Sequence, residues 1–236
     1  MHPDEYALMD RAEAAMWWYR ALHARLCDSL IGVQGRVLDA GCGTGGFLAT
    51  LRNRPDLIRF GVEWNRDAAA RARQKSAAAV VRGSVNALPF ADDSFDAAVS
   101  ADVLCHQAVD PLVALPELKR VLRPGGRLVV NMPAYRWLLS AHDRRVQNVR
   151  RLTAADTAAL LRQAGFGQVR ARYWNGLLLP LMLVQRKILA RGDAGSDVAP
   201  FPPWLDAMFH GITRVERRLP FPLPAGGSVL AVAEKP

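Results

Sequence analysis

The stretch VLDAGCGTGGFL, residues 37–48, constrains this chain more than any other. An apolar run ends in glycines at 41, 43, 45 and 46, and apolar residues then resume at helical spacing through Phe47, Leu48 and Leu51. That order reads as a buried strand, a tight turn and a helix, the opening unit of an α/β sheet. Glycines in such a turn let the backbone approach a ligand closely just before a helix N-terminus. The spacing fits two templates at once. Gly41, Gly43 and Gly46 form G-x-G-x-x-G, while Asp39, Gly41, Gly43 and Gly45 form D-x-G-x-G-x-G. Both suit a nucleotide, and the glycines alone do not choose between them.

The unit repeats along the chain. Residues 59–65 and 78–84 read as the second and third strands, with an Ala- and Arg-rich helix over 66–76 between them, and 95–101 as the fourth strand. Asp110 and Pro111 mark the start of a helix over 110–122, which Pro116 is expected to kink. RPGG at 123–126 reads as a type II turn leading into a strand over 127–132. A helix over 153–166, capped by Thr153 and stopped at Gly165, precedes a sixth strand over 168–174, and 228–236 is the last strand. The fold class expected is therefore α/β. It is a Rossmann-like, mostly parallel seven-stranded sheet with an antiparallel last strand, helices on both faces, and a helical insertion before that strand. Residues 1–236 form one domain in this reading, with 1–35 as an N-terminal helical cap, helical over 3–30, and 176–226 as the insertion. Roughly fifty residues between the last two strands is far more than a hairpin needs, so the insertion should have a use. Within it, 191–203 reads as a Gly/Pro/Asp-rich connector and 204–219 as a helix.

Composition narrows the setting. The chain has 236 residues, 31 Lys plus Arg against 22 Asp plus Glu, and a net charge of +9. The arginines are spread along the chain and serve as solvated helix faces as readily as they would hold phosphate, anionic lipid or an acidic small molecule. There is no clear basic stripe with interleaved stacking aromatics, so nucleic acid is not an expected partner. Cys27, Cys42 and Cys105 stand far apart without zinc-ligand spacing, so no metal is expected and a reducing cytoplasm is the simplest setting. No apolar run reaches the ~18 to 20 residues of a membrane span. Residues 176–191, interrupted by Gln185, Arg186 and Lys187, could still rest on a membrane surface, leucines down and Arg186, Lys187 and Arg191 toward head groups.

Chemistry separates the two templates. A pyrophosphate over the glycine turn would be repelled by Asp39, whereas a ligand presenting an ammonium and a sulfonium would be attracted to it. Glu63, ending the second strand, suits ribose hydroxyls in either case. The ordered set LDAGCGTG, GVEWN, ALPFADDSFDAAVSADVLCHQ and LKRVLRPGGRLVVNMP resembles the class I S-adenosylmethionine-dependent methyltransferases over residues 36–175. The resemblance implies that Asp39, Gly41, Cys42 and Gly43 border the methionine moiety. It further implies that Glu63 holds the ribose, Trp64 lies against the adenine, Val85 offers its N–H to the ring, and the Ala101 carbonyl meets the ammonium. Many relatives carry an acid where this chain has Ser84, so Ser84 or Asn86 would take over the contact to the adenine amine.

The acceptor side is less constrained. NMPAY at 131–135 follows the fifth strand, not the fourth, and so is not the N-P-P-Y box it resembles. Tyr135 and Trp137 are expected on the acceptor side of the cleft, because strand carboxyl ends face the ligand crevice. His142 beside Asp143, and His106 after the fourth strand, are the candidate bases, with Tyr135 as a third catalytic candidate. The H-D, R-R-L-T and Y-W-N segments resemble a subgroup of bacterial methyltransferases that also share W-W-Y near the start and S-D-V at 196–198. Trp17, Trp18, Tyr19, Trp137 and Trp174 join Tyr135 and His142 as substrate-binding candidates, and the N-terminal aromatics with the insertion would form a lid excluding water. The reaction expected is methyl transfer, without a metal, to a small hydrophobic or aromatic molecule at oxygen or nitrogen, by a monomer or homodimer in the cytoplasm, at the membrane periphery if the patch engages. The rival readings are a membrane-associated lipid or quinone methyltransferase, a non-catalytic donor-binding protein, and an NAD-dependent oxidoreductase, which Asp39 disfavours.

Overall fold

A computed structural model describes residues 3–184 and 201–236. Seven strands form one sheet in the order β3-β2-β1-β4-β5-β7-β6. They are β1 (Gly35–Ala40), β2 (Leu57–Glu63), β3 (Ala79–Arg82), β4 (Phe95–Ala101), β5 (Leu122–Pro133), β6 (Gly167–Trp174) and β7 (Ser228–Glu234). β7 runs antiparallel between β5 and β6, and the remaining neighbours pair parallel. The chain order reverses between β1 and β4, which opens a crevice at their carboxyl ends.

Alternation along the strands splits the core in two, since successive side chains of a strand point to opposite faces. Leu38, Ala98, Leu128 and Val130 pack with Leu115 and Leu118 of α5 (Pro111–Val121) and Leu161 of α7 (Ala154–Gln163). Val37, Ala97 and Val129 face Leu22 and Leu26 of α2 (Trp17–Ser29). The short helix α3 (Gly46–Thr50) adds Phe47 to that second layer. Asn65 caps α4 (Arg66–Ser76) by accepting from the N–H groups of Asp67 and Ala68, and Asp110 caps α5 through Leu112. Reciprocal Thr153–Asp156 bonds start α7, and a Ser140–Asp143 pair does the same for α6 (Ala141–Arg145).

Several expected boundaries shift. The N-terminal helical run is two helices, α1 (Pro3–Ala12) and α2, because residues 13–16 break the backbone pattern. The helix after the glycine turn ends at Thr50 and tightens into a 3₁₀ turn over Leu51–Asn53. Pro116 sits inside α5, which runs continuously to Val121. The insertion contributes α8 (Leu179–Val184) and α9 (Pro203–Arg217). Residues 191–200 of the connector expected over 191–203, the S-D-V triplet, and Gln185, Arg186, Lys187 and Arg191 of the stretch suggested for a membrane surface lie outside the described residues.

α9 is tied to α2 by ion pairs Arg20–Asp206, Arg25–Glu216 and Arg217–Asp28. Glu216 also accepts from the backbone N–H groups of Asn175, Gly176 and Leu177 at 2.6, 2.8 and 3.1 Å. A buried acid with an arginine and three amides is fully satisfied, so it holds the exit of β6 to α9 firmly.

Candidate functional site

The carboxyl ends of β1, β2 and β4 open into one cavity of about 660 Å³. Its floor is the glycine turn. Gly41 has φ +89°, and a Cβ there would lie 2.4 Å from Val103 Cγ2. Gly45, at φ +87°, caps α3 where a Cβ would stand 2.7 Å from the Ala72 Cα. No other residue type combines that backbone with that proximity. The Cys42 side chain turns the other way and packs with Leu48, Ala69, Ala72 and Val80, so the turn presents this residue's backbone to the cavity.

Carboxylates surround the turn. Glu63 accepts from the Gly43 N–H at 3.0 Å, the Asn65 N–H at 2.9 Å and the Tyr6 hydroxyl at 3.2 Å. Burial still raises its pKa above the usual carboxylate range, and it raises the Tyr6 hydroxyl as well, with the Glu63 charge adding to that rise. Glu13 accepts from Thr44 Oγ1 at 2.7 Å and Lys75 Nζ at 2.8 Å, and burial outweighs both in raising it. Asp39 is pushed up to about 8 by burial first, then by the charges of Glu13 and Glu63. Three acids crowded in a dry site favour a cation among them and oppose a phosphate. Trp64, 69% exposed, Val85 and Ser84 line the adjoining rim. Asn86 lies there too, but its side chain is spent on the Ala108 carbonyl (3.1 Å) and the Asp110 N–H (3.2 Å). Ala101 lines the cavity at the end of β4.

The cavity continues into a second wing. Trp17, Trp18 and Tyr19 all line it, together with Leu22, Phe47 and, from the insertion, Met182 and Phe201, which packs in the same apolar cluster as Trp17. Trp17 also meets the Phe209 ring edge-on at 5.6 Å. His106 and His142 both line the cavity, and burial lowers the His106 pKa, which favours its neutral imidazole. Asp143 was expected beside His142. Its carboxylate is instead held by Arg151, with Nη2 2.8 Å from Oδ1, and by the Ser140 N–H at 2.8 Å. Burial would raise Asp143, but Arg151 and Ser140 outweigh it and hold it below the usual range.

Three expected substrate contacts fall elsewhere. Tyr135 takes a positive φ of +55° just past β5, where the chain leaves the sheet for a 3₁₀ turn over Arg136–Leu138. Its ring stacks on Tyr173 (5.3 Å) and Trp137 (5.4 Å), away from the residues that line the cavity. Burial and the neighbouring Tyr173 push its hydroxyl up to about 12. Trp137 is 52% exposed on that outer stack. Trp174, 3% exposed, is core: Trp18 stacks on it at 6.0 Å, and its Nε1 donates to Asn131 Oδ1 at 2.8 Å. Conversely, Tyr6, Glu13 and Asp102 line the cavity without having been singled out by pattern. Asp102 alone carried a signal, a charge directly after an apolar strand of the crevice. Among the described residues no group of His, Cys, Asp and Glu could hold a metal ion, and no helix is long and apolar enough to cross a membrane.

A family model described as a methyltransferase domain matches residues 38–130. A ubiquinone/menaquinone biosynthesis C-methyltransferase of Paracoccus denitrificans is 32% identical over 170 residues, covering 58% of this chain and 68% of that protein. A malonyl-[acyl-carrier protein] O-methyltransferase of Herminiimonas arsenicoxydans is 36% identical over 119 residues, covering 50% of this chain and 45% of that protein. The chain spans about half the length of the curated relatives it matches. Among solved structures, a Thermotoga maritima S-adenosylmethionine-dependent methyltransferase, described as a possible histamine N-methyltransferase, superposes with TM-score 0.65 at 20% identity, covering 99% of this chain and 96% of that one.

Proposed function

This chain belongs to the S-adenosylmethionine-dependent methyltransferases, and on that premise we propose that it methylates a small hydrophobic or aromatic molecule at an oxygen or nitrogen atom. The observation that carries this reading is the single cavity that joins the acid-ringed glycine turn to an aromatic wing holding two histidines. S-adenosylmethionine, the donor of the family, supplies an activated methyl group when bound. The donor half suits it: Asp39, Glu63 and Glu13 favour its positive charges, Glu63 offers oxygens to the ribose, and Trp64, Ser84 and Val85 flank the base. The backbones of Gly41, Cys42, Gly43 and Ala101 border the amino-acid end.

In the second wing, Trp17, Trp18 and Tyr19 hold the acceptor and exclude water, and alignment does most of the work of an in-line displacement. The bound donor would supply the methyl group to the acceptor's lone pair and leave as S-adenosylhomocysteine, and His142 or His106 would take the proton that the acceptor releases. The N-terminal helices and the insertion close over this wing as a lid. A second reading, a lipid or quinone acceptor at a membrane surface, draws on Leu177, Leu181 and Val184, all exposed at or beside α8.

The test is methyl transfer from radiolabelled S-adenosylmethionine into a cell extract resolved into water-soluble metabolites, lipids and RNA. Label in metabolites is expected. Label confined to lipid, with co-sedimentation on anionic vesicles, establishes the second reading, and no label in any fraction despite donor binding overturns both.

A further inference from the structure

Asp102 follows β4 with a left-handed backbone, φ +54°, and its side chain lines the cavity. Its N–H donates to the Asn131 carbonyl at 3.0 Å, and Asn131 Nδ2 donates to both carboxylate oxygens at 3.0 Å. On the other side, Asn131 Oδ1 accepts from Trp174 Nε1 at 2.8 Å. An indole nitrogen can only donate, so the amide has one orientation, with oxygen toward Trp174 and nitrogen toward Asp102. The Arg25 guanidinium lies over the Trp174 ring, 4.7 Å from its centroid, and Arg25 in turn pairs with Glu216. A file of buried side chains from α9, α2, β6 and β5 thus ends on one carboxylate at the cavity wall.

That carboxylate is supported by a neutral amide. Arg151, nearby, spends its guanidinium on Asp143 and the Ala134 carbonyl. Burial pushes Asp102 up to about 7, with Asn131 and Arg151 pulling it down and Asp143 adding to the rise. Cys105 packs beneath, its Sγ 3.2 Å from the Asp102 carbonyl, while His106 and His142 line the same cavity. Position decides what Asp102 can meet. Glu63 closes β2 and Asp39 lies near the end of β1 on the donor side, whereas Asp102 is bonded to β5, across β4 from them. A half-buried acid there, opening on the cavity, is best satisfied by a proton on a ligand heteroatom.

Resting on the methyl-transfer reading and narrowing it, we propose that Asp102 is a specificity-determining residue. Its carboxylate accepts an N–H or O–H from the acceptor at the point where the methyl group is delivered, which selects an amine or a hydroxyl over a carbon nucleophile. Asn131 and Trp174 are positioning residues that hold it there.

Two nucleosides test this without a known acceptor. Sinefungin carries an ammonium where the donor carries its transferable methyl, and S-adenosylhomocysteine has nothing there; both share the amino-acid end. At pH 8 the intact chain is expected to bind sinefungin about tenfold more tightly than S-adenosylhomocysteine, the worth of one charge-assisted hydrogen bond. In Asp102→Asn, which keeps the left-handed backbone accessible, the two affinities should converge while that for S-adenosylhomocysteine holds within about twofold. The preference should also fade in the intact chain as pH falls through about 7 and be flat with pH in Asp102→Asn, which separates Asp102 from protonation of His106 and His142. Trp174→Phe keeps the ring under Arg25, removes only Nε1, and should give an intermediate preference even if the first variant folds poorly. An unchanged preference in both variants overturns the inference. So does equal weakening of both nucleosides, which would put Asp102 on their common ammonium. Failure of the intact chain to bind either nucleoside takes down the donor reading itself.

Discussion

The two wings of the cavity are built on different principles. The donor wing stands mainly on residues at strand ends: Asp39 near the end of β1 with the glycine turn after it, Glu63 closing β2 with Trp64 after it, and Ser84 and Val85 after β3. The acceptor wing draws on α2, the loop after β4, α6 and its sequel, and the insertion, and it is held by a nearby pair, Arg151–Asp143, and by one that joins distant segments, Arg25–Glu216. A common ligand can be held by a local motif, whereas a private one requires a wall gathered from across the chain. The electrostatics differ in the same way. On the donor side Asp39 is raised by burial and by the charges of Glu13 and Glu63, although Glu13 itself pairs with Lys75, while the buried acids Asp143 and Glu216 on the acceptor side each have an arginine partner.

The largest effect expected from breaking this contrast comes from Arg151→Met. It leaves the Asp143 carboxylate buried without its partner and should cost about 3–5 kcal/mol of stability, read by urea denaturation. A cost under about 1 kcal/mol would mean that the acceptor wall does not depend on that pair.

Glu63→Ala should leave the fold intact and weaken S-adenosylhomocysteine binding by about 1–3 kcal/mol, measured by calorimetry. Unchanged affinity would remove Glu63 from the donor wing.

Asp39 sharpens the contrast through pH. Its native pKa is raised to about 8, chiefly by burial, above an unfolded value near 3.8, so the folded chain holds a proton that the unfolded chain has released. The ligand-free protein should therefore lose stability steadily as pH rises from about 4 to about 8. Asp39→Asn should flatten that slope in thermal melts. A bound cation reverses the preference, so affinity for S-adenosylhomocysteine should rise over the same window as Asp39 gives up its proton.

Trp137→Ala should change least, within about 0.5 kcal/mol in stability and with no effect on donor binding, because the ring lies on the outer stack. A clear fall in acceptor turnover would return Trp137 to the site.

What pattern reveals, and where it stops, follows from range. The strand–turn–helix period and the caps at Asn65, Asp110 and Thr153 are local, and they are where the residues indicate. Tyr135 and Trp137 were misplaced because the rule that strand ends face the crevice holds only until the backbone turns, and the positive φ at Tyr135 turns it at once. Trp174 ends β6 like a ligand residue, yet its indole is consumed by Asn131, 43 positions away, and by Arg25 of α2. Tyr6 and Glu13 reach the site only because α1 folds back over the glycine turn, which nothing in their own neighbourhood encodes.

The sheet, its crevice and the glycine turn with Asp39 and Glu63 are legible along the chain, because hydrophobic period, glycine conformation and a charge at a strand end act over a few residues. The fold alone brings Tyr6 and Glu13 over that turn, sets which aromatics line the acceptor wing and which arginines are already spent, and places Asp102 at the wall with both oxygens held by the Asn131 amide. Burial and pairing between distant segments set those outcomes, and neither is a property of any one stretch of chain.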